Sequence, residues 1–257
     1  MYVRIAVACV LVVFIPTTVF AQGQPPSDPQ ALAFAAQSIA ALTGGASIND
    51  VTLTGTVTWA GTDTGEATLR GLGTNESRMD LALTKGTRTE IRDAQTGPWL
   101  GQWIAPNNLS GRFASHNCWT DAVWFFPALG SLAAGPNIVL SYIGQGTWKG
   151  TSVQHIQSYF YLSGQSPSPT AKKLSTMDFY LDASTLLPVA VTFNAHPDNN
   201  ASANLFVEID LSSYQSVNGV LVPMHIQKYQ QGSLLVDAVV TQASLNTGLS
   251  LSIFSIN

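Results

Sequence analysis

The chain has 257 residues, 46% hydrophobic and only 10% charged, against about 25% charged in an average soluble domain; apolar content at that level argues against disorder. Lys and Arg number 11 against 15 Asp and Glu, a net charge of −4. That balance disfavours nucleic-acid binding, because a phosphate-contacting surface needs a surplus of clustered cations.

Met1 to Arg4 makes a short basic start, and Ile5 to Ile15 is an unbroken apolar run too short to span a bilayer of roughly 30 Å as a helix. Val19 and Ala21 supply the small residues of a cleavage site. The expectation is a signal peptide over residues 1–21, cleaved after Ala21, followed by one domain over residues 22–257. Cys9 lies inside the apolar run, with too little sequence before it for a lipid-attachment signal. Its removal leaves Cys118 without a partner for an intrachain disulfide, so the core must supply the stability.

Asp28-Pro29 followed by Gln30 to Leu42 predicts one helix. Asp28 is a cap, Pro29 suits the first turn and Gly44-Gly45 ends it. Leu32, Ala35, Ala36, Ile39 and Leu42 fall on one stripe, expected to face a sheet. From Asn49 the period changes to two, with turns rich in Gly every eight to twelve positions. Strands are predicted through Val51–Val57, Glu66–Gly73, Ser77–Thr84, Thr87–Ala94 and Trp99–Ala105. Such short connections favour antiparallel pairing.

Between Asn107 and Gly135 the alternation fails. Cys118 to Leu132 reads as one or two short helices broken at Pro127, and Ser163 to Thr170 as an exposed loop. Strands resume at Ile138–Gly144 and Ser152–Leu162. Beyond residue 176, Met177, Phe179 and Leu181 alternate with Asp178, Tyr180 and Asp182; Val189–Phe193, Leu205–Leu211, Val220–Ile226 and Leu234–Leu245 continue the pattern, with a turn signal at Asn218-Gly219. The fold class is mainly β (α+β): a single curved antiparallel sheet or half-open β-barrel of about ten strands, its concave face covered by the N-terminal helix and the short central helices.

No Gly-x-Ser-x-Gly elbow, phosphate loop or dinucleotide fingerprint is present. His116, His155, His196 and His225 lack the three- to five-residue spacing of a zinc site, so no metal or other cofactor is expected. His116-Asn117-Cys118 is the most suggestive cluster, because an imidazole can activate a neighbouring thiolate. The bland reading makes Cys118 a small buried apolar residue. Glu208 and Asp210 share a strand face at roughly 6.6 Å, a plausible glycosidase separation that any solvated face also provides. The arginines at 70, 78, 88 and 92 lie on the early strands, where they either hold a head group at the rim or pair with Glu66, Glu76, Glu90 and Asp93. All six tryptophans precede residue 149. Wide aromatic side chains under a curved sheet either fill a core or line an apolar cavity.

Two stretches resemble a known family. Met177 to Phe193, reading MDFYLDASTLLPVAVTF, is similar to the Asp-x-x-Thr-x-Leu-Pro hairpin of the LolA-like lipoprotein carriers. Val207 to Asn246 is similar to their closing strands, with Asp210, Tyr214, Asn218, Gly219 and Pro223 matching. The first two thirds match in layout only, and the long 107–135 insertion and low charge depart from a dedicated lipoprotein carrier. The resemblance implies a divergent bacterial member, periplasmic or secreted and non-enzymatic, that binds a lipid, a lipoprotein acyl chain or another apolar ligand, with other envelope proteins as further partners. Trp59, Trp103, Trp119, Trp124, Phe125, Phe179 and Phe193 are the candidates for the ligand-binding wall. Two alternatives stay open: a structural or sensor module of an envelope complex with a filled core, and an exported thiol hydrolase using Cys118 and His116.

Overall fold

A computed structural model describes residues 25–74, 76–93, 100–124, 129, 132, 137–161, 168–197 and 199–256. The predicted signal segment, Phe125, Pro127 and most of the 163–170 loop lie outside them. Helix α1 (Pro29–Thr43) starts where the Asp28 carboxylate accepts the Gln30 and Ala31 amides at 2.7 and 3.2 Å, and ends at Gly44, whose φ of 58° suits glycine. Its buried stripe differs from the expected one. Ala31, Ala35, Ser38 and Leu42 face inward, while Leu32 and Ala36 are exposed. Three small side chains let the helix lie close to β7, β8 and β12, defined below, where a Leu32-centred face would hold it away.

Six strands form the first half: β1 (Asp50–Trp59), β2 (Asp63–Leu72), β3 (Glu76–Leu83), β4 (Gly86–Asp93), β5 (Leu100–Ile104) and β6 (Ser110–Phe113). Helix α2 (Ser115–Asp121) and a 3-10 turn at Ala122–Trp124 follow. The second half comprises β7 (Ile138–Trp148), β8 (Thr151–Phe160), α3 (Pro169–Ser175), β9 (Met177–Asp182), β10 (Pro188–Ala195), β11 (Leu205–Val217), β12 (Val220–Gln230) and β13 (Ser233–Leu245). Among the described residues, all thirteen strands belong to one antiparallel sheet of order β6-β5-β4-β3-β2-β1-β13-β12-β11-β10-β9-β8-β7. Each half is a meander, and pairing of β1 with β13 joins them.

The mainly β expectation holds, with thirteen strands among the described residues in place of about ten. β6 lies inside the segment read as irregular. Asn107 accepts the Leu109 amide and Asn108 takes φ 62°, turning the chain back onto β5. α3 takes over the end of the predicted loop, because Ser168 caps it through the Ala171 amide and Pro169 suits its first turn. The two hairpin motifs have a physical account. Asp182 accepts the backbone and hydroxyl protons of both Ser184 and Thr185, and Tyr214 donates to the Pro188 carbonyl at 2.7 Å, tying β11 to the start of β10. Burial pushes the Tyr214 phenol far up, so it remains a donor. Asn218 and Gly219, at φ 51° and 84°, make the two-residue turn between β11 and β12.

One face of the sheet carries the core. Val51 and Leu53 of β1, Met79 and Leu81 of β3, Phe179 of β9, Phe193 of β10, Ile209 of β11 and Ile226 of β12 are all buried in one cluster with α1, Trp119, Trp124, Leu129 and Leu132.

Candidate functional site

At β4 the inner face stops being apolar. Arg88, Glu90 and Arg92 stand opposite Leu81, Met79 and Ser77 of β3, so they project to the same side as the core. Glu90 receives Arg88 at 2.8 Å and Arg92 at 3.2 Å. Asp121, on α2, receives Arg92 at 2.6 Å through one oxygen and Lys228 of β12 at 3.1 Å through the other. The burial is deep: Arg92 is 1% exposed, Glu90 4%, Lys228 7% and Asp121 8%. Each cation also lies over a ring, Arg88 on Trp59, Arg92 on Phe113 and Lys228 on Trp124, at 4.2, 4.6 and 5.4 Å.

This network measures the curl of the sheet. β4 and β12 are five positions apart in the strand order, roughly 24 Å if the sheet were flat. One carboxylate nevertheless bridges Arg92 and Lys228, so the concave face closes far enough for α2 to span it. α2 is pinned again one turn earlier on the same face by Asn117, which donates to the His196 carbonyl at 2.7 Å and accepts the His196 amide at 2.9 Å.

Burial works to raise both carboxyl groups. The cations outweigh it: Arg92, Lys228 and Arg88 hold Glu90 below the usual carboxylate range, and Lys228 and Arg92 do the same for Asp121. Burial likewise opposes the charge on Arg92, but Asp121 and Glu90 raise its affinity for its proton. The stability linked to these depressed carboxyls is present above their unfolded values and is lost as pH falls through the folded ones. Chemical denaturation between pH 6 and 2 should therefore give a midpoint that drops steeply below about pH 4; a midpoint flat across that window would contradict the network.

Beside the network lies a cleft of about 250 Å³. Arg88, Glu90, Arg112, Asn117, Asp121, His196, Lys228 and Gln230 are the polar residues of its lining, interleaved with Phe113, Ala114, Ala195, Pro197, Leu205, Val207 and Leu235. The predicted aromatic residues fall elsewhere. Trp59 and Trp124 serve as platforms for Arg88 and Lys228. Trp103 of β5 pairs across the sheet with Glu90 and lies so close to Gly111 that a Cβ there would sit 2.7 Å from its ring. Trp119 packs on Phe160 with centroids 5.3 Å apart, and Phe179 and Phe193 are 0% and 2% exposed in the core. Phe125 lies outside the described residues.

The other candidate clusters are also accounted for. Cys118 is 3% exposed and packs close against Gly101, where an added Cβ would come within 2.4 Å of its sulfur. Glu208 and Asp210 both bind the Lys149 ammonium, the former at 2.6 Å, while Trp148 donates to Asp210 at 3.2 Å. Arg70 and Arg78 pair with Asp80 at 2.7 and 2.8 Å, a partner the cross-strand reading omitted. Among the described residues no group of three or more His, Cys, Asp or Glu is placed to hold a metal, and no helix is long and apolar enough to cross a membrane.

No family model matches the sequence, and no curated protein matches it. Solved structures do. A domain assigned to outer membrane lipoprotein sorting, from Vibrio parahaemolyticus, is similar with a TM-score of 0.55 and 13% identity, covering 88% of this chain and 96% of its own. A LolA superfamily protein from Nitrosomonas europaea gives 0.51 at 8% identity over 88% and 97% of the two chains. The fold is LolA-like. A DUF1329 family protein from Desulfovibrio piger shares it at 0.53 and 9% identity, covering 89% and 98%. At identities this low the likeness shows a shared fold and leaves the ligand open.

Proposed function

We propose that the protein is an exported, non-enzymatic LolA-like binder of a lipid, a lipoprotein acyl chain or another apolar ligand. In this reading residues 1–21 are a signal peptide, residues 22–257 form the single mature domain, and the site of action is the periplasm or the space beyond it. The observation that carries the reading is the roofed cleft: a curled sheet, α2 pinned across it, and a lining that includes the apolar side chains of Phe113, Ala195, Pro197, Leu205, Val207 and Leu235. Apolar burial at about 25 cal/mol per Å² supplies affinity without directional contacts. At about 250 Å³ the cleft falls below the roughly 300–1,000 Å³ of typical ligand pockets, so a long chain requires α2 to lift. Trp59, Trp103, Trp119, Trp124, Phe125, Phe179 and Phe193 are the proposed lining of the space so opened.

A second reading, a structural or sensor module, is favoured by one observation: α1, Trp119, Trp124, Leu129 and Leu132 already fill much of the concave side. Native mass spectrometry of the protein purified from its host separates the two. Carriage predicts a co-purified lipid mass, and uptake of a fluorescent fatty acid after delipidation. A bare mass together with no uptake leaves the scaffold.

A further inference from the structure

The charged side chains that reach the cleft from the concave face are balanced: Arg88 is paired with Glu90, and Lys228 with Asp121. Arg92 bonds both carboxylates as well, but it is 1% exposed and does not line the cleft. Arg112 stands in register with Gln102 and Ile91, on the opposite face from Arg88, Glu90 and Arg92. A phosphate or carboxylate head would therefore meet cations already neutralised, beside two groups of its own sign, and an ammonium head would meet the reverse. Taking either out of water costs free energy that these paired groups do not offset.

The polar capacity left over is an acceptor. Among the described residues that line the cleft, the one buried side-chain nitrogen or oxygen without a hydrogen-bond partner is Nε2 of His196, a residue 1% exposed. The other ring nitrogen, Nδ1, lies 2.8 Å from the Ala203 carbonyl. A carbonyl can only accept, so Nδ1 carries the proton and Nε2 of the imidazole presents a lone pair. Buried polar atoms without partners are uncommon and call for a reason. α2 covers this ring: Asn117 holds the His196 backbone, and the ring of His116 lies 5.7 Å from that of His196. The lift of α2 that a long guest requires thus uncovers the acceptor.

A pure hydrocarbon would leave Nε2 buried and unpaired, whereas a guest with one uncharged donor satisfies it without disturbing either ion pair. The smallest such donor an amphiphile carries is a hydroxyl, and Leu205, Val207 and Leu235 of the lining suit the attached tail. We infer that the guest is an uncharged amphiphile whose hydroxyl donates to His196 Nε2, an inference that rests on the binding reading above.

The test titrates the full mature chain by calorimetry with 1-octanol, with its isomer heptyl methyl ether, which lacks a donor, and with octanoate. Octanol should bind about fivefold more tightly than the ether, the net worth of one hydrogen bond. It should also bind more tightly than octanoate, which has to leave its carboxylate in solvent. His196→Phe keeps a ring and leaves the backbone contacts to Asn117 in place; it should bring octanol down to the affinity of the ether and leave the ether unchanged. Equal affinity of the parent protein for octanol and the ether overturns the hydroxyl while leaving an apolar binder standing, and that comparison needs no variant. A preference for octanol that survives in His196→Phe overturns the assignment to Nε2. Octanoate binding as tightly as octanol overturns the uncharged head. No binding of any of the three overturns the binding reading itself, and this inference with it.

Discussion

Asp121→Ala should destabilise the protein by about 3–5 kcal/mol, the range found when one partner of a buried ion network is removed. The change strands two cations at once: Arg92, 1% exposed, keeps its longer contact to Glu90 and the face of Phe113, and Lys228, 7% exposed, keeps the face of Trp124. A domain of this size loses about 2–4 °C of melting temperature per kcal/mol, so a fall of roughly ten degrees is expected. Lys228→Met in the same chain should recover part of the loss by removing one stranded charge. A drop below about 1 kcal/mol for Asp121→Ala would place the carboxylate at the level of a surface ion pair and sink the clasp.

Phe179→Ala should cost about 3–5 kcal/mol, as for other buried phenylalanines. Phe179 is fully buried, its register partner Val191 is also 0% exposed, and α1 lies in the same cluster, so the lost ring leaves a hole that two packed layers cannot close. The measurement also discriminates roles. Chemical denaturation reports the core contribution, and fatty-acid uptake reports lining. A variant that unfolds with its parent but loses uptake would make Phe179 a ligand wall; one that loses stability in the predicted range makes it part of the frame on which any wall is built.

The elements readable in advance were those whose cause is local. The Asp28 cap, the Asp182 turn and the Asn218-Gly219 hairpin each depend on residues within a few positions of one another. β6 was not readable, because Ser-Gly-Arg-Phe is four residues long and has no apolar alternation. The charged clasp was hidden for a different reason. Period two separates the faces of β4 but does not say which is inward, and hydrophobicity selects the Ile91 face over that of Arg88, Glu90 and Arg92. What reverses the choice is a carboxylate 29 positions along the chain from Arg92, itself tied to a lysine 107 positions further on. Arginines and a glutamate of alternating sign at i, i+2 and i+4 were the available sign of an internal ion row. Whether an aromatic ring under the sheet faces a ligand, a cation or another ring is decided by tertiary partners such as Lys228 for Trp124 and Phe160 for Trp119.

The open sheet ends at β7, where an exposed backbone edge invites another chain to add itself. There the Asp28 amide donates to the Leu140 carbonyl at 2.8 Å, and the Leu140 amide donates to the Ser27 hydroxyl at 3.1 Å. Pro25, Pro26 and Pro29 surround that pair of contacts and bring no N–H of their own. The lead-in to the first helix thus works as a stopper: it occupies the border strand at Leu140, and its prolines offer no N–H on which a further strand could be templated.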